Sequence, residues 1–212
     1  MTARAGAAAP APLRLARGLR AGLDRAGRLM AYLAGWNYIL CALFITADIV
    51  GRTAFGVSSA ATVEITGYML ACGISWSLAH TLAARAHIRV DVLVNRLPLR
   101  PRATLHVLAL LLLGGFAAFL AWAGWSLLDE SLLFDAHDNS ALHIPLALPQ
   151  GIWAFGLLVF LLMIAALLLE AALTLLCGRF GEADALLGSR SIDDEAGEAL
   201  EAVAMARKGQ AA

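Results

Sequence analysis

Long stretches without Asp, Glu, Lys or Arg dominate this chain, and short polar segments separate them. The uncharged runs cover 29–47, 65–84, 103–128 and 139–169. About twenty apolar residues at ~1.5 Å rise cross a ~30 Å hydrocarbon core, so each run predicts a membrane-spanning helix. The second run ends abruptly in Arg85-Ala86-His87-Ile88-Arg89-Val90-Asp91, with Arg96, Pro98, Arg100, Pro101 and Arg102 close behind. In the fourth, Pro145 and Pro149 stand near the start. Its regular helix is therefore expected from about Leu148, with Pro149 in the first turn, where a missing N–H costs little. The pattern reads as an all-α integral membrane protein of four transmembrane helices, with spans at about 29–50, 64–84, 103–128 and 148–176.

A different periodicity precedes the first span. Leu15, Leu19, Leu23, Ala26 and Met30 recur at steps of three and four, while Arg14, Arg17, Arg20, Arg25 and Arg28 fall on the other side. Residues 12–28 thus predict a basic amphipathic helix lying on an anionic leaflet. The competing reading, the basic region of a cleaved signal peptide, meets an apolar run that is too long and is closed by no small-x-small site. The Ala/Pro-rich residues 1–11 are expected to be disordered, and 179–212 to form a polar, solvated tail in which Ser191-Ile192-Asp193-Asp194 caps a short surface helix.

Composition agrees with the pattern. Of 212 residues, 60% are hydrophobic and 15% charged, against roughly half and a quarter in soluble domains. A net charge of zero conceals an asymmetry that sets orientation. Six arginines lie in the first 28 residues, one basic residue in 51–64, five in 85–102, none in 129–147 and four beyond Gly178. Basic residues collect on the cytoplasmic side, which places both termini and the 85–102 loop inside and the other two loops outside. Arginines beside spans are also no nucleic-acid patch, so no nucleic-acid partner is expected; Arg85 and Arg89 are assigned to lipid phosphate with the N-terminal set. Cys41, Cys72 and Cys177 are isolated in apolar runs and suggest neither disulfides nor a zinc site.

Candidate chemistry is sparse. Asp48, Arg52 and Glu64 are the only charges near the outer ends of the first two spans. They either pair with one another or with a partner inside the membrane, or mark helix ends whose side chains reach the interface. His87 and Asp91 are four apart, but a metal needs a further ligand that the neighbourhood lacks. His80 and His106, near the inner ends of spans two and three, are spaced for a haem ligand pair, which makes a haem-bearing redox anchor the alternative function. No catalytic triad, HExxH, phosphate loop or intramembrane carboxylate pair occurs, and no cofactor is called for. Four spans with few polar residues and no repeated broken helices make a poor solute pathway, which argues against a stand-alone carrier and for a companion of something larger.

These residues resemble the small membrane subunit of a tripartite ATP-independent periplasmic (TRAP) transporter, the DctQ-like family. The resemblance rests on Asp48-x-x-x-Arg52 ending span one and Glu64 opening span two. It continues with Ala84-Arg85-Ala86-His87-Ile88-Arg89-Val90-Asp91, Leu97-Pro98, and Ile144-Pro145-Leu146-Ala147-Leu148-Pro149-Gln150. It covers roughly residues 25–178; family members often carry a Trp where this chain has Ala147. The resemblance implies a structural companion in a bacterial inner membrane, flanking a large permease subunit. That permease would take up an organic acid delivered by a periplasmic binding protein, driven by an ion gradient. Asp48, Arg52, Glu64, His87 and Asp91 are then implied to be fold or subunit-contact residues.

Overall fold

The computed structural model describes residues 10–59, 61–86, 94–139 and 142–188, with isolated tail positions at 197, 200, 203 and 205. His87, Arg89, Asp91 and the Ser191–Asp194 cap lie outside the described residues. Five α-helices follow in order: α1 (Ala11–Phe55), α2 (Thr62–Ala83), α3 (Leu99–Leu133), α4 (Ala147–Leu176) and α5 (Phe180–Leu187), with a 3₁₀ turn at Val94–Arg96 before α3. Among the described residues there is no strand, only an isolated antiparallel bridge between His137 and Pro145 in the α3–α4 connection.

Three helices, α1, α3 and α4, are long and apolar enough to cross a membrane. The fourth expected span, α2, has 22 residues, or about 33 Å, so it is long enough though less apolar. Its hydroxyls are satisfied within the helix: Thr66 donates to the Thr62 carbonyl at 2.7 Å, Ser77 to Ile74 at 2.9 Å and Thr81 to Ser77 at 3.1 Å. Such back-bonding lets a polar residue sit on a helix without an outside partner.

Prolines and glycines set the helix ends as the sequence suggests. Pro98 precedes α3, and Pro101 lies in its first turn; Pro149 occupies the same place in α4. There a proline removes an amide that has no intrahelical partner anyway. Gly56 closes α1 in the left-handed conformation at φ 67°, which costs glycine nothing.

The helices do not form a symmetric four-helix square. The central element is α4, which packs against α1, α2, α3 and α5, and α1 also packs along α2. Among the described residues α3 touches neither α1 nor α2. The core follows from this: Val159, Phe160, Met163, Ile164, Leu167 and Ala171 of α4 meet Met30 of α1, Ala79 and Leu82 of α2, Leu110 and Ala117 of α3, and Leu187 of α5.

Two expectations change. The basic segment 12–28 is not a separate interfacial helix, because it continues without a break into the first span as one 45-residue helix. That helix is about 68 Å long, twice the thickness of a hydrocarbon core. Within it Leu15 and Leu19 stay exposed, while Leu13, Ala16, Gly27 and Met30 are buried. The face turned to the protein is therefore rotated from the apolar stripe in the sequence, and it carries two arginines. The start of the tail differs too. Residues 180–187 form α5, which buries Ala183 and Leu187 against the bundle instead of extending into solvent.

Candidate functional site at the two ends of the bundle

At the arginine-rich end, long-range ion pairs converge on α4 and α5. Glu170, one and a half turns before the end of α4, has a side chain only 5% accessible. It accepts from Arg17 Nε at 3.2 Å and from Arg20 Nε at 2.6 Å, both on α1. A carboxylate this buried needs such partners, since an unpaired one is expensive away from water. Arg17 also reaches Glu182 of α5 at 2.8 Å, where Arg179 joins at 3.2 Å.

The eight residues of α5 draw in arginines from the other elements. Arg102 of α3 forms a two-armed pair with Asp184, its Nε donating to Oδ1 at 2.8 Å and its Nη2 to Oδ2. Arg85, just past α2, donates from Nη1 to the Ala185 carbonyl at 2.8 Å. The Arg100 guanidinium lies 5.6 Å from the centre of the Phe180 ring, a cation–π distance. Arginines that the sequence assigns wholesale to lipid phosphate are thus divided. Arg17, Arg20 and Arg85 hold the protein together, as do Arg100 and Arg102. Arg14 and Arg25 remain exposed, and Arg28 reaches only its helical neighbour Asp24, at 3.7 Å.

His80 and His106 do not form a facing pair. His80 Nδ1 lies 3.7 Å from Asp24 of α1, and His106 Nε2 lies 3.6 Å from Asp184 of α5. Each imidazole is directed to a different carboxylate, one on α1 and the other on α5. The haem-anchor alternative gains no support from this geometry.

At the opposite end, Asp48, Arg52 and Glu64 come together around one shallow depression of about 310 Å³ shared with Ser58, Ser59 and Thr62. Proximity does not make them an ion pair: none of the three bridges another within 4.0 Å. Asp48 instead accepts from the Ser59 amide at 2.7 Å and the Ser58 hydroxyl at 3.1 Å, which folds the α1–α2 connection back onto α1. Asp138, which the sequence marks only as part of an acidic loop, is buried and plays the matching role in the α3–α4 connection. Its Oδ1 accepts from the Ile144 amide at 3.1 Å and its Oδ2 from the Tyr68 hydroxyl of α2 at 3.3 Å. No local pattern announces that contact, because Tyr68 lies seventy positions away.

Between the ends, α1, α2 and α4 share polar contacts. Asn37 donates to the Met69 carbonyl at 2.6 Å, and the Trp76 indole to the Ile152 carbonyl at 2.9 Å. They border an apolar groove of about 350 Å³ lined by Ala34, Cys72, Gly73 and Pro149. None of this resembles a polar path for a solute.

A family model described as Tripartite ATP-independent periplasmic transporters, DctQ component, matches residues 41–175. The chain belongs to this family. No curated protein and no solved structure matches it. The matched segment begins within α1 and ends at the last turn of α4, so it takes in Asp48, Arg52, Glu64, His87, Asp91 and Glu170. Arg17, Arg20 and all of α5 lie outside it. As a DctQ protein the chain is a membrane component of a tripartite transport system, and that family is one of transporter parts, not of enzymes.

Proposed function

We propose that this DctQ protein is the small subunit of a TRAP transporter, in which it scaffolds the large permease subunit in a bacterial inner membrane. The permease moves an organic acid handed over by a periplasmic binding protein and uses an ion gradient to do so. The observation that carries this reading is how the polar groups are distributed. Two buried carboxylates are tied to partners within the chain, Glu170 to two arginines and Asp138 to a loop amide and the Tyr68 hydroxyl, and so hold the fold instead of lining a route. The apolar surface, by contrast, is left open. On α3 alone, Phe116, Phe119, Trp122 and Trp125 are each 58–67% accessible. Among the described residues α3 packs against α4, α5 and the short 3₁₀ turn before it, which leaves much of its circumference for lipid or for another membrane protein.

The same reading makes α2 the fourth span and puts both termini and the 85–102 loop in the cytoplasm. Arg14, Arg25 and Arg28 then meet the inner membrane surface. Asp48, Arg52, Glu64, His87 and Asp91 serve the fold or the contact with the permease. Asp48 does the first through the Ser58–Ser59 connection, and Arg52, exposed and outside any ion pair among the described residues, serves the second. The test is copurification of the tagged chain in mild detergent after coexpression with the large permease subunit of a TRAP system. A stable complex is expected, with solute uptake only when both subunits and the binding protein are present. Recovery of the small chain alone, or uptake by it alone in liposomes, would overturn the proposal.

A further inference from the structure

At the arginine-rich end, α2 and α3 diverge while α4 lies behind both, which leaves a cleft of about 280 Å³. Its walls are Leu82 of α2, Leu105, Leu110 and Leu113 of α3, Leu167 of α4 and Leu187 of α5. Among the described lining residues, the polar side chains are those of Arg85 and His106. The order of these groups along the helix axes is informative. Arg85 stands at the end of α2, and Leu105 to Leu113 run about 12 Å along α3 away from it, toward the middle of the bundle. The cleft is therefore cationic at the interface and aliphatic below it.

Among the described residues, the charge balance at the mouth is positive. Asp184 is occupied by Arg102 and lies 3.6 Å from His106. Arg85 spends one nitrogen on the neutral Ala185 carbonyl and meets no carboxylate among the described residues. A guanidinium held at an interface by one bond to a carbonyl still offers its remaining donors to a phosphate. The volume is slightly below that of sites enclosing whole small ligands, so it suits a portion of one aliphatic chain whose remainder lies in the bilayer.

We propose that this cleft binds one anionic glycerophospholipid from the leaflet at the arginine-rich end. Its phosphate lies against Arg85, and the upper part of one acyl chain runs along Leu105, Leu110 and Leu113. Basic pockets between membrane helices recognise anionic head groups by this division of labour. Bound there, the lipid fills the gap between two helices that do not touch each other, and so links α2 to α3 beside the α5 clasp. The site stands independently of the transport role, since it uses only this chain's own residues.

Native mass spectrometry of the full-length chain, released from nanodiscs of mixed phosphatidylglycerol and phosphatidylcholine, tests it. One retained phosphatidylglycerol is expected. Arg85→Gln should lower its retention about fivefold, the worth of one basic residue at an anionic surface. Arg28→Gln, at the same end but away from the cleft, should leave retention unchanged. Leu113→Trp, which fills the cleft, should abolish retention while the circular dichroism spectrum keeps its helical form. Equal retention of the two lipids would overturn the proposal. So would equal loss from Arg85→Gln and Arg28→Gln, or competition by inorganic phosphate alone, which would reduce the site to a surface anion contact.

Discussion

Glu170 shows what a single charge near the end of an apolar run can mean. In the sequence it marks only the end of the fourth span; in the structure it is a buried acceptor for two guanidiniums about 150 positions away. Glu170→Gln keeps the shape and leaves Arg17 and Arg20 facing a neutral amide. Hydrogen bonds to charged groups are worth ~1.5–3 kcal/mol, and the arginines are about a third exposed, so solvent screening trims the gain. The expected loss is about 1–3 kcal/mol of unfolding free energy in detergent micelles, with a coupling between Glu170→Gln and Arg20→Gln in a double-mutant cycle. Arg14→Gln, on the exposed side, should stay within ~0.5 kcal/mol of wild type. Equal effects for Arg14 and Arg20 would show that the network contributes nothing specific. Asp48 gives the complementary lesson. Its spacing from Arg52 suggests a helical pair, but the nearer competitor is the Ser59 amide, which Gly56 brings back by turning the chain. Local spacing finds neighbours on one helix and is blind to a loop that returns to it.

The existence and approximate limits of α2, α3 and α4 were readable because uncharged runs and prolines report on one element at a time, whereas the fusion of 12–28 with the first span was not. The order in which helices touch was not readable, because it depends on surfaces from different elements. A tight α2–α4 approach is at Gly156, where an added Cβ would lie 2.6 Å from Ser75 Oγ and 2.8 Å from the Ser75 carbonyl carbon. No methyl group fits there without moving a backbone. Gly156→Ala should therefore destabilise the chain by about 1–3 kcal/mol, the usual cost of overpacking, whereas Gly115→Ala, with open space at its Cβ, should be neutral or mildly stabilising. Thermal unfolding of the two variants side by side decides the matter. The eight residues of α5 make the same point. They lie outside the long apolar runs, and nothing local says that Asp184 meets Arg102 across eighty-two positions. Asp184→Asn should weaken that two-armed pair and raise amide exchange over 180–187, while exchange in the middle of α4 stays slow. Unchanged exchange in α5 would mean that its buried Ala183 and Leu187 hold it without the ion pair.

At the scale of the molecule, the arginine asymmetry and the helix packing bear on one question, the number of crossings. Three helices are long and apolar enough to span by composition alone, and α2 is the undecided one. If α2 spans, the Ser58–Ser59 connection and the 97–98 turn lie on opposite sides of the membrane. If it does not, they share a side. The native thiols supply an internal reference. Cys41 is buried and Cys72 half-buried, while Cys177 is exposed at the arginine-rich end of α4. A membrane-impermeant maleimide should therefore label Cys177 in inverted vesicles and leave it untouched in intact spheroplasts. In a Cys177→Ser background, Leu97→Cys should follow the same pattern, and Ser58→Cys should show the reverse. Leu97 and Ser58 are both exposed and outside the core, so core packing is kept; Ser58→Cys gives up the hydroxyl bond to Asp48 and leaves the Ser59 amide to hold that carboxylate. Labelling of Ser58→Cys and Leu97→Cys from the same side would remove α2 from the membrane. The arginines of the 85–102 segment would then lose their meaning as an orientation signal, even though their contacts to α5 would stand.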